Sequence, residues 1–191
     1  MTAPGELQTS RLLLRSIGRE DIPALVRLAG TREIAATTLG IPHPYAEEDA
    51  RNYVRKCEED FLAGRSVTFA VCKLPDGEFC GAIGLVISEA HRRAELGYWI
   101  GVPYWSNGYA TEASRAILAF GFETLRLNRI YAHHTTGNTG SQRVIQKIGM
   151  RHEGRSRQHV QKWDKFIDIE NYGILAEEFP SSQPATNSAN R

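Results

Sequence analysis

The order of patterns along the chain predicts one mixed α/β domain, and three observations carry that prediction. With 191 residues, 41% of them hydrophobic and 24% charged, the chain has the size and composition of a single globular unit with a substantial core. Strand-like alternation gives way to helical spacing and returns to alternation several times, with no internal repeat and no linker. Helical stretches set between such strands are what cover sheet faces in an α/β layer architecture.

Each element has its own reason. Residues 12–17, Leu12-Leu-Leu-Arg-Ser-Ile17, read as a first strand. Asp21 then caps a helix that has Pro23 in its first turn and continues through Leu25, Leu28 and Ala29. After a loop around Leu39-Gly-Ile-Pro-His-Pro-Tyr45, a charged amphipathic helix spans residues 47–63 and is closed by Gly64. Residues 67–73 and 78–88 are antiparallel strands joined by the turn Leu74-Pro-Asp-Gly77, and residues 93–100 form a fourth strand. That strand runs into Trp105-Ser-Asn-Gly-Tyr-Ala110, where a helix begins with apolar residues at Ala110, Ala113, Ile117 and Phe120. Residues 129–135 make a fifth strand, and residues 141–148 a short helix ending at Gly149. Two further strands cover residues 150–157 and 165–175. The domain therefore takes residues 1–179, and the polar stretch 180–191, with no apolar face, is expected to be a disordered tail.

The strand-to-helix junction at residues 105–110 is the most informative stretch. Such a junction aims several backbone N–H groups and the positive end of a helix dipole at one point, which suits a phosphate. Gly108 and Ala110 are the close-approach positions. No Lys-Ser/Thr pair follows the glycine, so this is not a Walker loop, and the three-glycine dinucleotide fingerprint is absent.

Composition excludes other classes. Lys and Arg number 23 against 22 acidic residues, so no global field draws nucleic acid or anionic membrane. The three cysteines, Cys57, Cys72 and Cys80, have neither a CxxC pair nor zinc-ligand spacing, which predicts no metal and fits a reducing compartment. The opening Met1-Thr-Ala-Pro-Gly-Glu lacks a signal-peptide pattern and no run approaches membrane length, so a cytoplasmic location is expected.

The loop resembles the pyrophosphate loop of the GCN5-related N-acetyltransferases (GNAT), and ordered motifs extend the likeness from Leu7 to about Phe179. The chain is similar to the branch typified by ribosomal-protein-alanine N-acetyltransferases, the RimJ/RimL type. Leu7-Gln-Thr-Ser-Arg-Leu-Leu-Leu-Arg15 resembles its opening strand, and Pro44-Tyr45 with Asp49-Ala50 the entry to its second helix. Cys80-Gly-Ala-Ile-Gly-Leu85 and Ala94-Glu-Leu-Gly-Tyr-Trp-Ile100 resemble its third and fourth strands. Tyr104-Trp105, Gly108-Tyr-Ala-Thr-Glu-Ala113 and Phe120-Gly-Phe122 resemble its acetyl-CoA motif. Asn138-Thr-Gly-Ser141 with Lys147-Ile-Gly-Met150 resembles its Asn-x-x-Ser…Lys-x-Gly-Phe element. Trp105 stands where the superfamily has Gln or Arg, Ser106 replaces a glycine common in the branch, and Ile145 occupies the place of a frequent tyrosine.

The resemblance implies a mostly antiparallel sheet of about six to seven strands, splayed between the fourth and fifth and flanked by about four helices. It implies direct acetyl transfer from acetyl-CoA to a primary amine: a protein N-terminal α-amine or a small amine such as a polyamine, amino acid or antibiotic. A CoA-binding sensor without turnover is the reading of another class. The cofactor-binding set it implies is Leu96, Gly97, Tyr98, Trp99 and Ile100 of the fourth strand, then Trp105, Ser106, Asn107, Gly108, Tyr109, Ala110 and Thr111, with Asn138 and Ser141. Glu95 is the candidate base, the alternative being a strand carboxylate paired with a surface cation. A bulge at Gly97 would alter which way Glu95 faces. Ser141 is the candidate hydrogen-bond donor to the departing thiolate, or else a helix-start residue bonding the local backbone. Asn138 is a pantetheine contact, a helix N-cap, or both. His43 and Tyr45 belong to the loop expected to line the acceptor side. His133 and His134, neighbours on one strand, point to opposite faces and do not share a metal simply. The partners expected are an amine acceptor and no nucleic acid or membrane, with the protein a monomer or homodimer.

Overall fold

Strands buried on both faces read as nearly unbroken apolar runs, and Ser66–Lys73 (β3) and Glu78–Ser88 (β4) do so because helices cover each side of them. The computed structural model describes residues 5–180, so the expected tail from residue 181 onward and residues 1–4 lie outside the described residues. Ahead of β3 come β1 (Leu7–Gln8), β2 (Leu12–Ser16), α1 (Ile22–Ala29), α2 (Arg32–Thr37) and α3 (Glu47–Leu62). After β4 follow β5 (Arg93–Ile100), α4 (Tyr109–Ala119), β6 (Arg129–Thr135), α5 (Thr139–Lys147), β7 (Arg151–Lys162) and β8 (Lys165–Leu175). The two-residue β1 and the six-residue α2 are additions to the elements read from the sequence.

The strands form one eight-stranded sheet in the order β1-β2-β3-β4-β5-β6-β8-β7. All neighbours are antiparallel except β5 and β6. That parallel pairing is short: Arg93 faces Arg129, Ala94 faces Ile130, Glu95 faces Tyr131, and the ladder stops there. On its other edge β5 stays paired with β4 along its whole length, through Ile100 opposite Gly81. From Leu96 onward, one edge of β5 is therefore open in the middle of the sheet. The β4–β5 ladder has no register shift at Gly97, so no bulge forms there and plain alternation sets the facing of Glu95.

Two apolar clusters lie on opposite sides of the sheet. One joins Leu14, Phe69, Ile83, Leu85, Leu96 and Ile130 to Ala113, Ile117 and Leu118 of α4 and Ile145 of α5. The other joins Ala70, Cys72, Ala82 and Trp99 to Leu25 and Leu28 of α1 and Ala50 and Val54 of α3. Each large side chain buried this way contributes roughly 1.5–3 kcal/mol against the chain entropy of folding.

Asp21 departs from its sequence reading. Its side chain makes no cap bond to α1. At 2% exposure, it accepts a two-pronged bond from Arg15 (2.7 and 2.8 Å) and another from the Gly18 N–H (2.9 Å). A buried carboxylate needs a charge partner more than a helix end needs a cap. No helix among the described residues is long and apolar enough to cross a membrane.

Candidate active site

The turn between β5 and α4 is built from main chain. Ser106 and Gly108 both adopt left-handed backbone, at φ 63° and 81°, and Gly108 is the N-cap of α4. The first bond of the helix runs from Glu112 N to Gly108 O (3.0 Å), so the N–H groups of Tyr109, Ala110 and Thr111 precede it. Gly108 has no side chain with which to cap them, and a Cβ there would meet only Arg11 Nη2, at 3.5 Å. Donors and helix dipole thus face a free approach. The loop is pinned from behind by the β1–β2 turn: Arg11 bonds Glu112 Oε2 (2.7 Å) and Asn107 O (3.0 Å), while Thr9 donates to Glu112 Oε1 (2.6 Å). Those bonds hold the Glu112 carboxyl below its usual range despite its partial desolvation.

The loop opens into a cleft of about 1200 Å³ that follows the splay between β5 and β6. Glu95 sits at the last paired position and receives the ring of His133, Nδ1 to Oε1 at 3.1 Å. The hydrogen bond lowers the Glu95 pKa and raises that of His133, each from its ordinary value and each against the opposing effect of burial. On the other face of β5, the Tyr98 hydroxyl lies 2.9 Å from Ser141 Oγ, and burial pushes its pKa up to about 12. Ser141 N in turn donates to Asn138 Oδ1 (3.0 Å), which makes Asn138 the N-cap of α5. Among the described residues, Asn138 Nδ2 has only a long contact, 3.4 Å, to Thr37 O.

The cleft lining includes Glu95, Leu96, Gly97, Tyr98, Trp99, Ile100, Trp105, Ser106, Gly108, Tyr109, Ala110, Thr111, Asn138 and Ser141 of the sequence-predicted set. Asn107 is not in it; its side chain instead ties the loop to Tyr104 O and Trp105 O. The 39–45 loop reaches the cleft through Leu39, Gly40 and Ile41 rather than His43 and Tyr45, and Tyr45 packs on the α1 side. His134 does point away from His133: 5% exposed, it stacks on Tyr172. Sequence reasoning missed the Glu95–His133 pair, the Tyr98–Ser141 contact and the Arg11–Glu112 clamp. All three join residues distant in sequence, and only the alternation that puts odd-numbered residues of β5 on one face hinted at the first.

Two carboxylates line the cleft, Asp60 and Glu95, and both are engaged. Asp60 bonds Lys56 (2.7 Å) and Arg65 (2.8 Å), which hold it below the usual carboxylate range. The hairpin of β7 and β8 closes over α2, where Lys162 donates to Ala35 O and Thr38 O. The three thiols are free and buried, and burial raises each pKa, that of Cys80 to about 12. No group of His, Cys, Asp and Glu among the described residues is arranged to hold a metal.

Residues 11–151 match the family model described as the acetyltransferase (GNAT) domain. The chain is 30% identical over 170 residues to the uncharacterized N-acetyltransferase YoaA of Bacillus subtilis (strain 168), a match covering 88% of this chain and 96% of that protein. Its fold is similar to the crystal structure of an acetyltransferase (GNAT family) from Bacillus anthracis, with a TM-score of 0.81 and 30% identity over 91% of this chain and 100% of the other. It is also similar to Mycobacterium smegmatis RimJ in complex with CoA-disulfide, with a TM-score of 0.82 and 25% identity over 93% and 88% of the two chains.

Proposed function

The chain belongs to the GNAT acetyltransferase family, in its RimJ/RimL-like branch, and transfers the acetyl group of acetyl-CoA to an amine; from that premise we propose that the acceptor is a polypeptide α-amine and that the Glu95–His133 pair takes its proton. The observation that carries the reading is that pair, set where β5 and β6 part and in one cleft with the Gly108 loop and Ser141.

A general base works best when its pKa lies near the operating pH, and the smaller the gap to the amine it serves, the less uphill the proton transfer. An imidazole raised above 6.5 is closer to an α-amine at about 8 than to an alkyl amine at about 10. Charge argues the same way. A polyamine brings several positive charges, whereas Asp60 is already taken by Lys56 and Arg65 and Glu95 by His133.

In the mechanism we assign, the loop from Ser106 to Ala110 holds the CoA diphosphate by main-chain N–H groups. Asn138 Nδ2 takes a carbonyl of the pantetheine arm. Glu95 accepts from Nδ1 of neutral His133, which leaves Nε2 to receive the amine proton. The amine lone pair attacks the thioester carbonyl, and a β5 N–H between Leu96 and Tyr98, on the edge that β6 has left, stabilises the oxyanion. The C–S bond then breaks and its electron pair leaves on sulfur. With the Tyr98 O–H assigned as donor to Ser141 Oγ, a contact of 2.9 Å that either hydroxyl could donate, the Ser141 hydrogen is left for the thiolate. A free thiol near pKa 8.5 needs only that modest help.

The test is thiol release with peptides carrying free N-termini, set against spermidine and single amino acids. Peptides should be used with a kcat/KM at least about tenfold higher. A preference for spermidine overturns the acceptor, and tight CoA binding with no turnover of any amine returns the sensor reading.

A further inference from the structure

A stripe of α5 faces the same cleft as the loop, and its charge is not used by anything described so far. Gly140, Arg143, Val144 and Lys147 all line that cleft, at the i, i+3, i+4 and i+7 positions that share one side of a helix. Arg115 of α4 donates to Lys147 O (3.1 Å), which fixes the C-terminal end of the stripe against the helix that starts at the loop. Neither Arg143 nor Lys147 has a salt bridge among the described residues. The acidic groups that might have taken them are committed: Glu112 to Arg11, Asp60 to Lys56 and Arg65, and Glu95 to His133. A lysine in the last turn of a helix is accounted for by the dipole, but an arginine in mid-helix is not.

Resting on the acetyl-CoA reading, we infer that Arg143 and Lys147 bind the 3′-phosphate of the cofactor's ribose. Coenzyme A carries two separate anionic groups, and the start of α4 supplies donors for one of them. The diphosphate takes the main-chain turn; the phosphomonoester, close to doubly charged at neutral pH, needs its own cations. Arginine offers a planar fork for phosphate oxygens and lysine a mobile point charge, and both are exposed enough to meet a group at the cleft mouth. The pair therefore separates coenzyme A from its 3′-dephospho form, which the loop alone would accept.

Calorimetry with acetyl-CoA and 3′-dephospho-acetyl-CoA tests this on the wild type and on Arg143→Gln, Lys147→Gln and the double variant. Both side chains lie on the surface, so the variants should keep the wild-type Tm. The wild type should bind acetyl-CoA about tenfold or more tightly than the dephospho form, the worth of one charge-assisted hydrogen bond. The double variant should lose most of that preference while its Kd for the dephospho form moves less than about twofold. Equal weakening of both forms would mean that the stripe reads the diphosphate, and overturns the inference. So would unchanged affinities, or a change confined to the KM of the amine. If the wild type binds neither form, the cofactor reading itself has failed, a result distinct from all of these.

Discussion

The two ends of the cleft are made of different material. At the Gly108 end the working groups are main-chain N–H donors, set by two left-handed residues and the start of α4. At the splay they are side chains from three elements: Glu95 and Tyr98 of β5, His133 of β6 and Ser141 of α5. A main-chain site tolerates changes of side chain, which is how Trp105 and Ser106 can depart from the family pattern while the bend persists. A side-chain site depends on register. Sliding β6 by one residue against β5 would carry His133 to the opposite face, away from Glu95.

The largest effect should come from breaking the side-chain end alone. His133→Ala should lower kcat by about 10²–10⁴, the usual range for a lost general base. Its Kd for acetyl-CoA should stay within about twofold; a parallel loss of affinity would mean that the ends are not separable. The pH dependence sharpens this. Activity needs neutral imidazole, so kcat/KM should rise with pH through a pKa above 6.5, because Glu95 favours the charged ring. Glu95→Gln removes that bias and should move the rising limb to lower pH while reducing the plateau. If His133→Ala keeps the limb and Glu95→Gln abolishes it, the carboxylate is the base.

Breaking the main-chain end should cost somewhat less and show in the other parameter. Gly108→Trp fills the approach and strains a backbone at φ 81°, so acetyl-CoA should bind about a hundredfold more weakly, as read by calorimetry. Wild-type affinity in that variant would remove the loop from the site. Ser141→Ala should lower kcat about tenfold, the value of one hydrogen bond to a charged sulfur. Tyr98→Phe should do less and should add little in the Ser141→Ala background, since the two hydroxyls act as one unit. Additive losses would separate their roles. The smallest effect is expected at the clamp: Glu112→Gln should raise the KM for acetyl-CoA a few-fold, leave kcat alone and cost about 1 kcal/mol of stability by thermal melting.

The same contrast explains what was legible in the sequence. The strands β4, β5, β6 and β8 have the bounds that alternation between turn residues indicates. β7 runs on to Lys162, five residues past its expected end, because it is a largely exposed edge strand with two register shifts and offers no apolar alternation to follow. The short β1 and α2 fall below the length at which periodicity speaks. The bend at Gly108 was readable because small residues before a helix have a local meaning. Glu95 was readable as a residue but its partner was not. His133 lies across a parallel crossover, and the register of such a pair is set by the helix between the strands rather than by either strand. The resemblance places Tyr98 among the cofactor contacts, and its hydroxyl meets Ser141 only because α5 starts where Asn138 caps it. The loop at residues 39–45 has no periodicity at all, so which of its residues would face the cleft was not written locally.

The buried cysteines have a practical consequence. Cys72 and Cys80 are fully enclosed, Cys57 is buried in the cleft wall, and burial favours the protonated form of each, so the folded protein should react only slowly with thiol-reactive dyes. Colour developed in a turnover assay then belongs to released coenzyme A. The same dye in urea, with no cofactor added, becomes a counter of unfolded molecules.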